Sequence, residues 1–277
     1  MVRGMIDLQS HGGDTYVGEG PEYPWGGLYG GQIVAQALRA AAATVGPDLA
    51  PHSLRAYFIR RGDPREPVRY EVDRIRDGRS FTTRRVVARQ AVGAILNLEA
   101  SFQRHEFSPA VQTVTMPDVP GPDGLVEESW SDRFARRDVP PGTLTERHLT
   151  GAGRVVRWLK LAERLGNLAD ARAALDHVCW LAFMSDDVPS DSVFRAHPHA
   201  GGEEDHANFF GASLDHTLWF HRPMRVDEWH LYDGTCHAFN QARGLAIGNI
   251  FAADGTHTAT YAQEFLAREV TTTTNPL

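Results

Sequence analysis

Two stretches of this 277-residue chain are apolar around almost a full helical circumference, and alternating segments follow each of them. In the first, IVAQALRAAAA at 33–43, Ile33, Val34, Ala35, Ala37, Leu38 and Ala40 to Ala43 leave almost no polar face. A helix of that kind is buried on every side. The second, DARAALDHVCWLAFMSDD at 170–187, predicts another helix, apolar over most of its surface. After the first helix the period changes from helical to two. VRYEV at 68–72 puts Val68, Tyr70 and Val72 on one face of a half-buried strand, and Asp77-Gly78 supplies a hairpin turn. HSLRAYFIR at 52–60, SFTTRRVVARQ, a turn at Gly93 and AILNLEASFQR complete a run of antiparallel strands. After the second helix come SLDHTLWFHR, EWHLYDGT, FNQARGLAIGNIF, a turn at Asp254-Gly255 and THTATYAQEFLAR.

The halves match in order. Each has a buried helix, an aromatic strand (AYFIRR against LWFHRP), a hairpin turning at Gly93 or Gly255, and a last strand ending ASFQR or YAQEFLAR. Self-similarity on this scale is a duplicated domain, not a solenoid array. The expected fold is α+β, a double hotdog: two tandem units, each a central helix wrapped by a curled antiparallel sheet, with edge strands joining into one continuous sheet. The units are expected at 1–110 and 151–277. Between them 111–150, rich in Pro, Gly and charge as in MPDVPGPDG and RRDVPPGTL, is read as a surface linker.

Composition narrows the setting. With 42% hydrophobic and 23% charged residues, the chain has material for a real core. A formal charge of −7 without a dense basic block gives no footprint for nucleic acid or an anionic membrane. No apolar run has the length of a membrane span, and the opening MVRGMIDLQSHGG lacks a signal peptide's apolar core. With only Cys179 and Cys236, neither a disulfide framework nor a zinc ribbon is available, so a reducing, cytoplasmic setting is expected.

The glycine pairs before the first helix, Gly26-Gly27 and Gly30-Gly31, raise the question of a phosphate cradle. They match neither the spaced dinucleotide fingerprint nor the P-loop, which needs Lys and Ser/Thr after its last glycine. Ser213, Asp215 and His216 contain the residue types of a hydrolase triad. Taken along one strand, however, Ser213 and Asp215 share a face and His216 points opposite, and no G-x-S-x-G is present. HPHAGGEEDH at 197–206 has three histidines and three acids, but its Gly-Gly interruption reads as a solvated loop, and no metal is expected.

GGQIVAQALRAA, HSLRAYFIRRGD, RDGRSFTTRRVVARQ, ASFQ, LDHTLWFHRP and ARGLAIGNIFAADGTHTATYAQE, in that order, resemble the acyl-CoA thioesterase II family across nearly the whole chain. The resemblance implies hydrolysis of fatty acyl-CoA without a cofactor, in a chain that forms homo-oligomers. It implies that the glycines of GGQ turn the chain tightly into a surrounded helix; the N–H groups at that helix start are free to face part of a CoA ester on general grounds. It also implies three site residues. Asp186, in FMSD, is the base, with Asp187 beside it as the alternative; Ser213 takes the place of a hydroxyl residue that is Thr in many relatives; Gln263 lies in YAQEFLAR. A carboxylate ending a helix faces the unfavourable end of its dipole, which fits either a functional duty for Asp186 or a simple cap on a loop turn. Gln263 shares a strand face with Tyr261 and Phe265, so its amide is expected inside and in need of partners. Asp186 would take a proton from water that Ser213 and Gln263 align, with backbone N–H groups near a helix start receiving the oxyanion. The alternatives in a hotdog fold are an acyl-CoA hydratase or dehydratase and a catalytically silent acyl-CoA binder.

Overall fold

The computed structural model describes residues 2–144, 153–200 and 208–270. In chain order the strands are β1 (Gln9–Gly12), β2 (Thr15–Gly18), β3 (Leu49–Phe58), β4 (Val68–Asp77), β5 (Phe81–Gln90), β6 (Gly93–Arg104), β7 (Phe134–Asp138), β8 (Arg154–Leu161), β9 (Phe209–Ser213), β10 (Asp215–Phe220), β11 (His230–Asn240), β12 (Arg243–Ala252) and β13 (His257–Glu269). The helices are α1 (Gly30–Ala42), α2 (Ala171–Met184) and α3 (Asp187–Ala196).

All strands join one antiparallel sheet in the order β1-β2-β4-β5-β6-β3-β10-β13-β12-β11-β8-β7, with β9 added on β13. The order reads outward from the centre in matching steps: β3 and β10 pair with each other, β6 and β13 flank them, then β5 and β12, then β4 and β11. The repeat in the sequence is thus a repeat in the sheet.

α1 and α2 pack on each other, and their side chains share one apolar core with both halves of the sheet. Leu38 and Val34 of α1, Trp180 and Leu181 of α2, and Phe102 and Leu218 of the sheet are all essentially inaccessible to water. Each contributes roughly 1.5–3 kcal/mol by leaving water. Alanine and glycine permit the close helix approach. A Cβ on Gly31 would stand 2.1 Å from the Phe183 carbonyl oxygen, so no other residue fits there. No helix among the described residues is long and apolar enough to cross a membrane.

Three sequence expectations change. The helix expected at 170–187 is α2, which stops at Met184, and the polar stretch after it, expected as a loop, forms a second helix, α3, from Asp187 to Ala196. Pro189 explains the restart: it is tolerated in the first turn of a new helix but not in the interior of a continuing one. FNQARGLAIGNIF is not one strand, since β11 runs to Asn240 and turns through Gln241 and Ala242, at φ 51° and 60°, into β12. Neither residue advertises a left-handed turn. The stretch read as a surface linker carries β7, which pairs with β8, and Val114, Met116 and Val119 pack beside Trp158 and Leu231. Much of 111–144 is therefore an outer layer on the second half; residues 145–150 of that stretch lie outside the described residues.

Candidate active site

The break between α2 and α3 sets the position of Asp186. Its backbone remains helical and stands just before α3, so its carboxylate does not face the C-terminal end of a longer helix. It points to the start of α1, where Oδ2 accepts the Gly31 N–H at 3.0 Å. Gly31 belongs to the first turn of α1, whose amides have no partner within the helix, and the favourable end of that dipole lies there. The misplaced charge read from the sequence is therefore placed well. It caps a helix 155 residues away in the chain. Gly30 is needed for the same approach, since a Cβ there would lie 2.6 Å from Asp186 Oδ2.

The other carboxylate oxygen gathers two more predicted residues. Ser213 Oγ donates to Asp186 Oδ1 at 3.2 Å, Gln263 Nε2 donates to the same oxygen at 2.9 Å, and Gln263 Nε2 also donates to Ser213 Oγ at 2.8 Å. Asp186 is 7% exposed and Gln263 is fully buried. Burial raises the Asp186 pKa to about 6, against the hydrogen bonds from Gln263, Ser213 and the Gly31 amide, which favour the ionised form. A carboxyl poised near neutrality has the pKa of a general base that works at physiological pH.

Asp187 is committed elsewhere. Its Oδ2 accepts from Arg157 Nη1 at 2.8 Å, while Oδ1 accepts from Trp130 Nε1 at 2.6 Å and from Arg136 Nη1 at 3.5 Å. Arg157, fully buried, also bridges to Asp138 and Asp191, so Asp187 belongs to an ion-pair network behind the site.

The strand argument made for Ser213, Asp215 and His216 needs correction. They do not lie on one strand: Ser213 ends β9, Leu214 intervenes and Asp215 opens β10. The slip in pleat lets Ser213 and His216 converge on the same amide. His216 Nδ1 meets Gln263 Oε1, and its Nε2 lies 2.8 Å from Ser185 Oγ. Asp215 turns away, accepting the Glu264 N–H at 2.8 Å. Ser185 and His216 are not anticipated by the sequence, and the Gly31 N–H, read there as free to face part of a CoA ester, donates to Asp186 instead. A signal existed for His216, which is in phase with the inward Leu218 and Phe220 of β10.

Only the second half carries this chemistry among the described residues. Aligning AYFIRR with LWFHRP places Leu54 where the second half has His216. Leu54 pairs with Ala100, which stands opposite it as Gln263 stands opposite His216 when the Thr217–Ala262 register is extended by one residue. From the loop read as solvated, His197 and His199 lie beside Glu269, with ligand atoms within 4.8 Å of one another. His197 Nδ1 accepts the His199 amide at 3.2 Å, which leaves its ring proton on Nε2, facing Glu269 at 3.7 Å. That is a histidine–carboxylate contact holding the end of α3 to β13; residues 201–207 lie outside the described residues. A cavity of about 470 Å³ lined by Glu22, Tyr23, Gly26 and Arg61 to Arg65 opens beside the turn that feeds α1, and it includes none of Asp186, Ser213 or Gln263.

Comparison with known proteins decides the family. Residues 21–103 match a model of the acyl-CoA thioesterase N-terminal domain, and residues 111–267 match one of the acyl-CoA thioesterase C-terminal domain. The chain belongs to the acyl-CoA thioesterase II family. It is 34% identical to mouse acyl-coenzyme A thioesterase 8 over 294 residues, covering 97% of this chain and 89% of that protein. The crystal structure of acyl-CoA thioesterase II TesB2 from Mycobacterium marinum superposes with a TM-score of 0.85 at 32% identity, over 99% of both chains. A protein of unknown function from Alicyclobacillus acidocaldarius, described as having a hot dog fold, is 18% identical with a TM-score of 0.75, over 98% of both chains. This family member has the hotdog fold.

Proposed function

We propose that the chain is an acyl-CoA thioesterase that uses water as nucleophile and Asp186 as base. The observation that carries this reading is the convergence of Ser213 Oγ and Gln263 Nε2 on one oxygen of a buried carboxylate with a pKa of about 6. Water arriving at Asp186 meets the Ser213 hydroxyl and the Gln263 amide beside it, which fix its direction toward the thioester carbon. Asp186 accepts the proton as the oxygen attacks, and returns it to the thiolate of CoA when the carbon–sulfur bond breaks. The water route needs no acyl intermediate on Ser213, and among the described residues Asp186 is the general base that touches it. The Gly31 amide donates to Asp186 and fixes the direction of its carboxylate.

We infer further that the hotdog fold is present twice. The first unit ends near residue 110. The pairing of β7 with β8 supports assigning the stretch from 111 to the second unit instead of treating it as a separate linker. Cys179 and Cys236 are free thiols, which supports a reducing compartment such as the cytoplasm.

The test is release of free thiol from a series of saturated acyl-CoAs of increasing chain length. Stoichiometric thiol and free acid are expected. A hydratase or a silent binder releases neither, and that result would overturn the reading.

A further inference from the structure

His216 is fully buried, and its ring meets Gln263 Oε1 through Nδ1 and Ser185 Oγ through Nε2, so it is joined to Asp186 and Ser213 through the Gln263 amide. We propose that His216 is a positioning residue for the hydrolysis, its Nδ1–H fixing the Gln263 carboxamide in the orientation that turns Nε2 toward Asp186 and Ser213. The inference rests on the thioesterase reading and deepens it.

The two ends of a carboxamide have nearly the same shape and opposite hydrogen-bonding character. Packing alone cannot choose between them. In one orientation Nε2 donates to Asp186 Oδ1 and Ser213 Oγ, at 2.9 and 2.8 Å, and Oε1 faces His216. In the other, Oε1 stands against the carboxylate oxygen and the base loses its donor.

The ring can select because it holds one proton. Burial drives the His216 pKa down to about 4, so the imidazole is neutral at working pH. Its Nε2 lies 2.8 Å from Ser185 Oγ, a hydroxyl able to donate. The competing acceptor for that hydroxyl, the Ala182 carbonyl, is farther away at 3.1 Å. With Ser185 donating to Nε2, the ring proton sits on Nδ1 and is given to Gln263 Oε1. The donors then run in one direction: Ser185 O–H to His216, His216 N–H to Gln263, Gln263 N–H to Asp186. Reversing one link reverses all of them and brings the carbonyl against the charge. Low dielectric makes each of these bonds, and each unpaired end, matter more than in water.

A second observation separates this role from packing. The first half holds Leu54 and Ala100 at the corresponding positions, where both are buried in a regular pair of strands. The sheet therefore tolerates an apolar pair there. The polar pair occurs in the half that has the carboxylate.

The experiment compares His216→Asn with His216→Gln in the full chain, measuring kcat and KM separately for thiol release from a saturated fatty acyl-CoA, with and without Gln263→Ala. Asn offers an amide donor at the place of Nδ1, while Gln offers one nearer the place of Nε2. His216→Gln is expected to lower kcat about 10- to 100-fold with KM within about twofold, and His216→Asn to stay within about threefold of wild type. In the Gln263→Ala background neither change should lower kcat by more than about twofold, because His216 acts through the missing amide. Equal loss in the two variants, or losses that multiply with Gln263→Ala, would overturn the proposal. Should His216→Gln not fold, the Asn variant decides alone: a folded protein with kcat below about a tenth of wild type overturns it. A wild-type chain that releases no thiol would instead overturn the thioesterase reading, and this inference with it.

Discussion

Replacing Asp186 with Asn should destroy activity while making the protein relatively more stable as pH rises. The carboxyl pKa stands at about 6 in the folded chain against a reference of 3.8. The folded state therefore holds the Asp186 proton more tightly than the unfolded state does. Stability associated with the protonated form is complete below the unfolded pKa and is lost as pH climbs through the folded one. At about 1.4 kcal/mol per unit, the loss is roughly 3 kcal/mol in all, of which roughly 2 kcal/mol falls between about pH 4.5 and pH 8. Asn cannot ionise and lacks this slope. It introduces a separate cost, because one of its ends must present N–H either to the Gly31 amide or to the Gln263 amide, worth about 1–3 kcal/mol for an unpaired donor. That cost does not vary with pH, so the difference between the two unfolding curves isolates the carboxyl. Urea unfolding of both proteins across that pH range should show the stability of Asp186→Asn relative to wild type improving by about 2 kcal/mol. The same variant should lose at least about 100-fold in kcat, and wild-type kcat/KM should rise with pH through about 6 as the base ionises. Stability curves that stay parallel would refute the claim that ionised Asp186 is held at a cost in this fold.

Asp187→Asn should show the converse: it breaks a buried pair with Arg157 and should cost about 3–5 kcal/mol in chemical unfolding, and whatever folds should keep its kcat within several-fold. Ser213→Thr should retain most activity and Ser213→Ala should lose about tenfold or more, and mass spectrometry of enzyme quenched in turnover should find no acyl adduct; a stoichiometric adduct on Ser213 would end the water mechanism. Gly31→Ala should fail to accumulate as folded protein, since its methyl would meet the Phe183 carbonyl oxygen at 2.1 Å, and a normal thermal unfolding curve would contradict that packing.

The sequence carried the large features because each rests on local periodicity. Wholly apolar helices have to be enclosed, and strands repeated in matching order have to make a repeated sheet, as β3 to β6 and β10 to β13 do. What was not legible depends on contacts made after collapse. The polar stretch from Asp187 to Ala196 carries no strong helical periodicity and yet forms α3, and the turn at Gln241-Ala242 lacks the residues that mark left-handed backbone. The pleat slip at Leu214 defeated an argument from strand alternation, though His216 carried its own clue in step with Leu218. Asp186, Ser213 and Gln263, named by resemblance alone, come together in one hydrogen-bonded group that no local pattern indicates. The capping of α1 by Asp186 was hidden because the partners are 155 residues apart, a separation no local pattern spans.

The bond between the Gly31 amide and Asp186 ties the first half of the chain to the second at the carboxylate proposed as the base. Reactivity and assembly are thereby fastened by one clasp. On the proposed mechanism, a chain whose halves part would lose the bond that holds its base, so hydrolysis would depend on the two halves staying joined.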